Sequence, residues 1–516
     1  MFIENSIPSF FWRSFYRMRP NWDKAFWPLI SLVINLVCII VSYILMVGIT
    51  RENYALKTLS IGSVTLFAFS LHLFTRNTLR DPFHPDILLT TGHLIQFVIP
   101  CMIFAMGIFN DIAYIENNHI YQVRFFFPEV LFAVLVGQTL FNIFFCIYPP
   151  PKNRAIEQTA TSGAAFIVLI VIAVWISRIF ILLTDSYFHS RHSDFMFKSV
   201  LYSPMATIST MGKIVTAYMA IRFFKSKGIW KEKTAKIYLV FEIAWSLFSG
   251  VREDFFITIL CIIFGYIIVH RKIPIIYSLI FVFILLIGST FLQNYRRAML
   301  AQPSSQHVSI ISASKMALKT QKKDNSFYAL IERLNDGQFT AGCFKSVPES
   351  MPFFNGKTYK MIYWIPIPRV IYPDRPKFII NYFNLFRPEI TSSSAPVTAI
   401  GEAYINFGWL GIPVVFFILG IIFKTVDSIF NHTLSWAKAA ILIFFSTLVI
   451  RMTVNPAVTQ ISWILKIIML LIALKILNKI TTFIKTQNNN QTTTKKHSLK
   501  ILTGKILLRF SKDRTT

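Results

Sequence analysis

The side chains best suited to chemistry in this chain are arginines and one glutamate, gathered around a single long polar stretch. Arg252 stands in "SGVRED", Arg296 and Arg297 in "LQNYRRA", and Arg369, Arg375 and Lys377 in "IPRVIYPDRPKF". Guanidinium pairs with phosphate through two parallel hydrogen bonds, so arginines converging at one level make an anion site. In the third stretch, prolines remove backbone donors and fix an extended path that interleaves Tyr372 with the cations. Such a segment suits a phosphorylated sugar, cations taking the phosphates and the ring stacking on a sugar face; it serves equally well as a plain surface cover. Beyond it lies "GEAYINFGWLG". Read as one helix, it places Glu402, Asn406 and Trp409 on one stripe. Gly401, Gly408 and Gly411 permit close helix contact. A carboxylate and an amide on that stripe, at the mouth of an apolar run, face protein or water rather than lipid.

The elements that position these groups are membrane helices. The chain has 516 residues, 54% of them hydrophobic, and a mean hydropathy of +0.54. Repeated apolar runs predict about twelve spans of the length a hydrocarbon core requires. They run over Trp27–Gly48, Leu59–Phe74, Ile87–Phe109, Val130–Tyr148, Ala164–Leu183, Leu201–Phe224, Lys236–Phe248, Phe255–Val269, Ile275–Leu292, Ile400–Phe423, Ala439–Val454 and Ile461–Leu477. The seventh and eighth are short enough to form one re-entrant unit. Lysine and arginine in the short loops put both termini in the cytoplasm. The chain then divides into an N-terminal bundle (1–292), a large external loop (293–397), C-terminal helices (398–478) and a basic tail (479–516). The tail ends in a basic amphipathic segment suited to the anionic inner leaflet. A loop of that length is itself a sign of function. The formal net charge of +28 points, in so apolar a chain, to membrane lipids and anionic lipid-linked substrates and away from nucleic acid. Five cysteines, four of them within apolar runs, give no disulfide framework. The first apolar run is too long for a cleavable signal.

Other charges have two readings each. Arg178 and Arg451 fall on the external side of the bundle, as part of an anion site or as interfacial arginines reaching headgroups. Arg252 and the Arg296–Arg297 pair, beside a glycine and at the root of the loop, are better placed for a ligand. Lys213 and Glu242 sit mid-span in neighbouring helices and are expected to form a structural ion pair, a conduction role being the alternative. The cluster His189, Arg191, His192 and Asp194 is compatible with a metal, and equally with a polar interfacial loop, which is the expectation here.

The order "PRVIYPDRP", a short variable segment, then "GEAYINFGWLG" opening a membrane helix, resembles the Wzy-type O-antigen or oligosaccharide repeat-unit polymerases. "SGVRED" is similar to that family's glycine-x-arginine element, "LQNYRRA" to its basic element opening the external loop, and "DPFHPDILLTTGHLI" to the segment leading into its third span. Arg375, where lysine is commoner, and the acidic pair Glu253 and Asp254 are departures. The resemblance implies a GT-C-like membrane glycosyltransferase in the bacterial cytoplasmic membrane. It would act at the outer face, moving a growing chain from undecaprenyl pyrophosphate onto the next lipid-linked repeat unit, with no cofactor or metal. A chain-length regulator and a flippase are the implied partners. On this reading Arg252, Arg296, Arg297 and Arg369 hold the pyrophosphate, where fixed cations stabilise leaving-group charge. Arg375 and Lys377 steer the substrate, and Tyr372, Tyr404 and Asn406 contact it. Glu402 either takes the acceptor's proton or ties its helix to the proline-rich loop, through Arg369. The O-antigen ligases share the topology and the loop. A flippase or transporter would instead carry its charges near the midplane.

Overall fold

The computed structural model describes residues 22–76, 83–108, 123–147, 164–183, 202–226, 232–249, 252–271, 334–364, 397–430 and 434–469, with a few isolated positions around them. In chain order the helices are α1 (Trp22–Gly48), α2 (Tyr54–Thr75), α3 (Pro85–Ala105, wound as a π-helix over Leu94–Val98), α4 (Phe127–Ile147), α5 (Ala164–Leu183), α6 (Tyr202–Thr210), α7 (Gly212–Lys225), α8 (Lys233–Phe248) and α9 (Arg252–His270). Then come α10 (Gly337–Ser346), α11 (Lys357–Lys360), α12 (Ala399–Phe407), α13 (Gly411–Ser428), α14 (Trp436–Arg451) and α15 (Ala457–Met469).

Among the described residues, six stretches are long and apolar enough to cross a membrane: Phe26–Gly48, Arg51–Thr75, Pro85–Ala105, Arg124–Ile147, Glu253–His270 and Ala399–Ser428. Their outward faces are hydrocarbon. On α1, Val33, Val37, Ile40, Ile44 and Val47 are exposed, as are Val168, Ile172, Ile176 and Ile179 on α5. Apolar side chains in such continuous stripes suit a lipid solvent, which helices tolerate because they satisfy their own backbone groups. The chain is an all-helical, polytopic membrane protein.

Several expected spans differ in detail. Leu201–Phe224 is not one helix: it breaks at Met211 into α6 and α7. Gly212 opens the second piece because a Cβ there would come within 2.6 Å of the Arg178 guanidinium. The seventh and eighth expected spans are two separate helices, α8 and α9, packed on each other. Ile275–Leu292 lies outside the described residues, as do the amphipathic tail and most of the large loop. The five free cysteines are all buried: four lie in apolar runs, and Cys343, in a stretch that reads as polar, is buried on α10.

Helices α1 to α4 pack with α13 into one group, and α7, α8 and α9 pack with α14 into another, joined where α14 meets α3. Small residues bring the backbones together. At Gly420 a Cβ would stand 2.8 Å from the Phe141 carbonyl of α4, and at Gly265 it would stand 2.6 Å from Ala220 of α7. Close approach of this kind lets dispersion replace the hydrophobic drive that lipid cannot supply. The loop is not wholly outside this bundle. Its helix α10 packs against α4 and α12 and buries Gln338, Thr340, Ala341, Cys343 and Phe344.

Candidate functional site

The connection between α14 and α15, in the sequence "RMTVNPAV", gathers polar side chains from three other elements. Arg451 Nε donates to Glu253 Oε1, at the start of α9, in a short contact. Asn455 Nδ2 donates to the same oxygen at 2.9 Å. The Thr453 hydroxyl donates to the side-chain oxygen of Gln96, within the π-turn of α3. The backbone N–H of Val458, at the first turn of α15, donates to Glu402 Oε2 at 3.2 Å. Pro456 initiates that turn, which starts helices well because proline has no N–H to leave unpaired. A π-turn of this kind is often found at functional sites. Here the Gln96 carbonyl accepts the Asp336 N–H at 3.1 Å, which anchors the entry to α10.

Glu402 itself is 1% exposed. Its carboxylate meets the N-terminus of α15, where free N–H groups and the helix dipole favour negative charge. Further hydrogen bonds reach it from the Thr358 hydroxyl and the Ala457 backbone. Asn406 lies one turn on and is also buried. Its Nδ2 donates to Thr358 Oγ1 and to the Glu402 carbonyl, both at 2.8 Å. The Tyr404 hydroxyl donates to the Val347 carbonyl at 3.1 Å, while its ring meets Phe344 edge-on at 4.3 Å between centroids. Backbone bonds from Phe354 to Ile405 and from Asn355 to Asn406 complete the seam. Thus "GEAYINF" is the floor on which segment 347–358 of the loop rests, and Pro348, Glu349, Met351 and Phe353 line a hollow above it.

The stripe read from the sequence is shorter than expected. Glu402 and Asn406 share it, but α12 stops at Phe407 and Trp409 is 41% exposed in the following 3-10 turn. Gly408 is the cause: its φ of +63° and ψ of −151° are open to glycine and costly for other residues. Gly401 does serve close contact, its missing Cβ leaving room for Cys343 Sγ at 3.0 Å.

Of the other expected site residues, Arg252 begins α9 beside Glu253. Arg296, Arg297, Arg369, Tyr372, Arg375 and Lys377 lie outside the described residues, as does the His189–Asp194 cluster. Arg178 is neither an anion ligand nor a headgroup arginine. It is 1% exposed, and its guanidinium takes both Glu242 oxygens, at 2.7 and 2.9 Å. Trp245 covers it at 4.8 Å. The expected Lys213–Glu242 pair is present at 3.2 Å, with Lys213 also donating to Thr258 Oγ1 at 2.7 Å. Glu242 therefore joins α5, α7 and α8, one carboxylate shared between two cations. Arg451 likewise pairs with Glu253 and is largely buried, so it does not reach for headgroups.

A second knot, not anticipated from the sequence, closes the opposite end of the bundle. Asp86, at the start of α3, meets Arg76 Nε at 2.7 Å and His72 Nε2 at 3.2 Å, and is in short contact with His84. His84 faces Asp427 at 3.6 Å, which Lys424 approaches at 3.9 Å. All six side chains are essentially buried and come from the ends of α2, α3 and α13. The signal was the "HPD" in "DPFHPDILL", but its partners are distant in sequence and only packing unites them.

No curated protein and no solved structure matches this chain. Two family models do. One, described as Domain of unknown function (DUF8712), spans residues 173–434, about half of the chain; the other, O-antigen polysaccharide polymerase Wzy, spans 396–482. The second begins where the loop returns and contains Glu402, the α14–α15 connection and the Val458 amide that holds the carboxylate. The chain belongs to the DUF8712 family, and its C-terminal region, over α12 to α15, carries the Wzy-type polysaccharide polymerase domain.

Proposed function

We propose that the protein polymerises oligosaccharide repeat units carried on undecaprenyl pyrophosphate, by glycosyl transfer at the outer face of the bacterial cytoplasmic membrane. The supporting observation is that the Wzy match falls on the helices that build the polar hub at the base of the loop. The product is a surface polysaccharide, O-antigen or capsule. The full protein carries about twelve spans in a GT-C-like arrangement with both termini cytoplasmic, and works beside a flippase and a chain-length regulator.

In the reaction the acceptor hydroxyl oxygen attacks the anomeric carbon of the donor chain. The bond from that carbon to the pyrophosphate oxygen breaks, its electron pair leaving with the pyrophosphate. The hydroxyl proton passes to a protein base. Arg252, Arg296, Arg297 and Arg369 hold the pyrophosphate and stabilise its growing charge, while Arg375 and Lys377 draw the anionic substrate inward. Tyr372 stacks on a sugar. Tyr404 and Asn406 shape the substrate hollow through segment 347–358, which they hold. Of the two roles open to Glu402, its bonds to the α15 N-terminus favour the positioning one. Deleting the gene in a host with a polymeric surface glycan should leave lipid bearing one repeat unit. Wild-type chain lengths in that strain would refute the polymerase, and loss of all glycan transfer from its lipid carrier would favour the ligase.

A further inference from the structure

Asp336 is the buried acid of the loop for which the fold gives no structural occupation. It stands at the N-cap of α10, where aspartate usually accepts a backbone N–H two or three residues on. Here its side chain makes no cap bond, its backbone lying at φ −70° and ψ −14°. The residue is 5% exposed, and among the described residues no hydrogen bond or ion pair to its carboxyl is found. A buried carboxyl left so is costly, and native structures retain one chiefly where it has work to do.

Its surroundings indicate what work. The Asp336 N–H is held by the Gln96 carbonyl of α3, whose side chain takes the Thr453 hydroxyl. Glu253 of α9 lies close enough for its charge to act on Asp336, and carries Arg451 and Asn455 on its own oxygen. Arg252, proposed above for the pyrophosphate, is the neighbour of Glu253. Across α10, Thr340 Oγ1 meets Thr398 Oγ1 at 2.6 Å, which fixes the helix to the N-cap of α12. Asp336 thus sits where the loop, the arginine-bearing end of α9 and the α14–α15 connection converge. Burial, with Glu253 adding to it, holds its carboxyl well above the usual carboxylate range. A raised affinity for protons is what a general base requires.

We infer that Asp336 is the general base of the transfer, taking the proton of the acceptor sugar's hydroxyl as that oxygen bonds to the donor's anomeric carbon. The inference rests on the polymerase reading and adds to it the residue that receives the proton. The carboxylate becomes a carboxylic acid, the pyrophosphate leaves with the bonding pair, and the acid loses its proton to water before the next addition. The groups facing Asp336 are Glu253 from α9 and, through it, Arg451 from the α14–α15 connection. Neutralising Glu253 removes a negative charge beside Asp336 and frees Arg451, both of which lower the pKa of the base.

The test uses the full-length protein in membranes or proteoliposomes, supplied with the lipid-linked repeat unit extracted from the host. The rate of chain extension is followed against pH. Wild type should rise with pH through the shifted carboxyl titration. Asp336→Asn should fall by roughly 10²–10⁴-fold, the usual worth of a general base, and lose the rising limb while its thermal midpoint is no lower than that of wild type. Glu253→Gln should move that limb to lower pH, a readout that remains available if Asp336→Asn does not fold. Asp336→Asn at the wild-type rate, with Arg252→Ala inactive, overturns the inference and leaves the polymerase standing. An unmoved limb in Glu253→Gln overturns it too. Wild-type chain lengths after gene deletion would sink the polymerase reading itself.

Discussion

Replacing Glu242 by glutamine should be the most damaging isosteric change in the bundle. The substitution keeps the shape of the side chain and removes only its charge. Arg178, 1% exposed, and Lys213, 2% exposed, would then be two buried cations with no anion between them. Removing one partner of a buried ion pair costs about 3–5 kcal/mol, chiefly through the uncompensated charge left behind. At about 1.4 kcal/mol per tenfold, the lower figure alone reduces the ratio of folded to unfolded protein by more than about a hundredfold. Glutamine keeps one oxygen and turns an amide nitrogen toward one of the two Arg178 nitrogens, so a donor faces a donor there and the low end of that range is the least to expect. The assay is thermal or denaturant unfolding of the purified protein in detergent, with polymer length in the host as a second readout. The control is the triple change Arg178→Met, Lys213→Met and Glu242→Leu, which removes the charges together. It should be less destabilising than Glu242→Gln alone, because desolvation of all three ions is then avoided. Equal stability of wild type and Glu242→Gln, or a triple variant worse than the single one, would refute the claim that mutual compensation holds these charges.

Three further outcomes follow from the floor of the loop and its buried acid. Gly408→Ala should cost about 1–3 kcal/mol, since a side chain must be forced into a φ of +63°; an unfolding midpoint matching wild type would contradict it. Asn406→Ala removes two bonds at 2.8 Å and Tyr404→Phe one at 3.1 Å. At about 1 kcal/mol each, either change removes one bond to segment 347–358, at Thr358 or at Val347, and the other Asn406 bond lies within α12, so both should loosen the segment to a similar degree, measured as faster hydrogen exchange there. Asp336 predicts a pH effect on stability. Its pKa in the fold is raised, so its favourable contribution is complete at low pH and is lost as pH rises through the folded value. Stability should therefore decline with rising pH in wild type and less so in Asp336→Asn, and parallel curves would count against an unpartnered acid.

Much of the bundle is legible in the sequence because spanning helices are written as apolar length, and length survives without any knowledge of neighbours. The Lys213–Glu242 pair is legible for the same reason: two charges facing hydrocarbon in adjacent spans have few options but each other. What fails is partner choice. Arg178 read alone is an interfacial arginine, and nothing in "WISRIF" says that Glu242, three helices on, will take both of its nitrogens. The stripe in "GEAYINFGWLG" fails at Trp409 because the period of a helix says nothing of the one glycine that ends it. Asp336 was missed for a subtler reason. In "LNDGQF" it looks like an ordinary N-cap, and only the absence of the cap bond in the fold removes that explanation.

Three carboxylates surround the α14–α15 connection, and their partners assign them different tasks. Glu402 faces the amides of a helix N-terminus, a fixed positive end that keeps it in place. Glu253 is held by Arg451 and Asn455, so its charge is matched and its position set. Among the described residues Asp336 has neither amide nor cation on its carboxyl, and it lies on the loop rather than on a spanning helix. Donors fix the direction of a carboxylate's lone pairs. One left without donors in a buried setting holds a proton more tightly. Glu402 and Glu253 are therefore fixed in the frame of the connection, and Asp336 is the carboxylate there whose lone pairs no described donor engages. Changing either frame residue to its amide should alter the geometry or the pH of the reaction, whereas changing Asp336 should remove the proton acceptor.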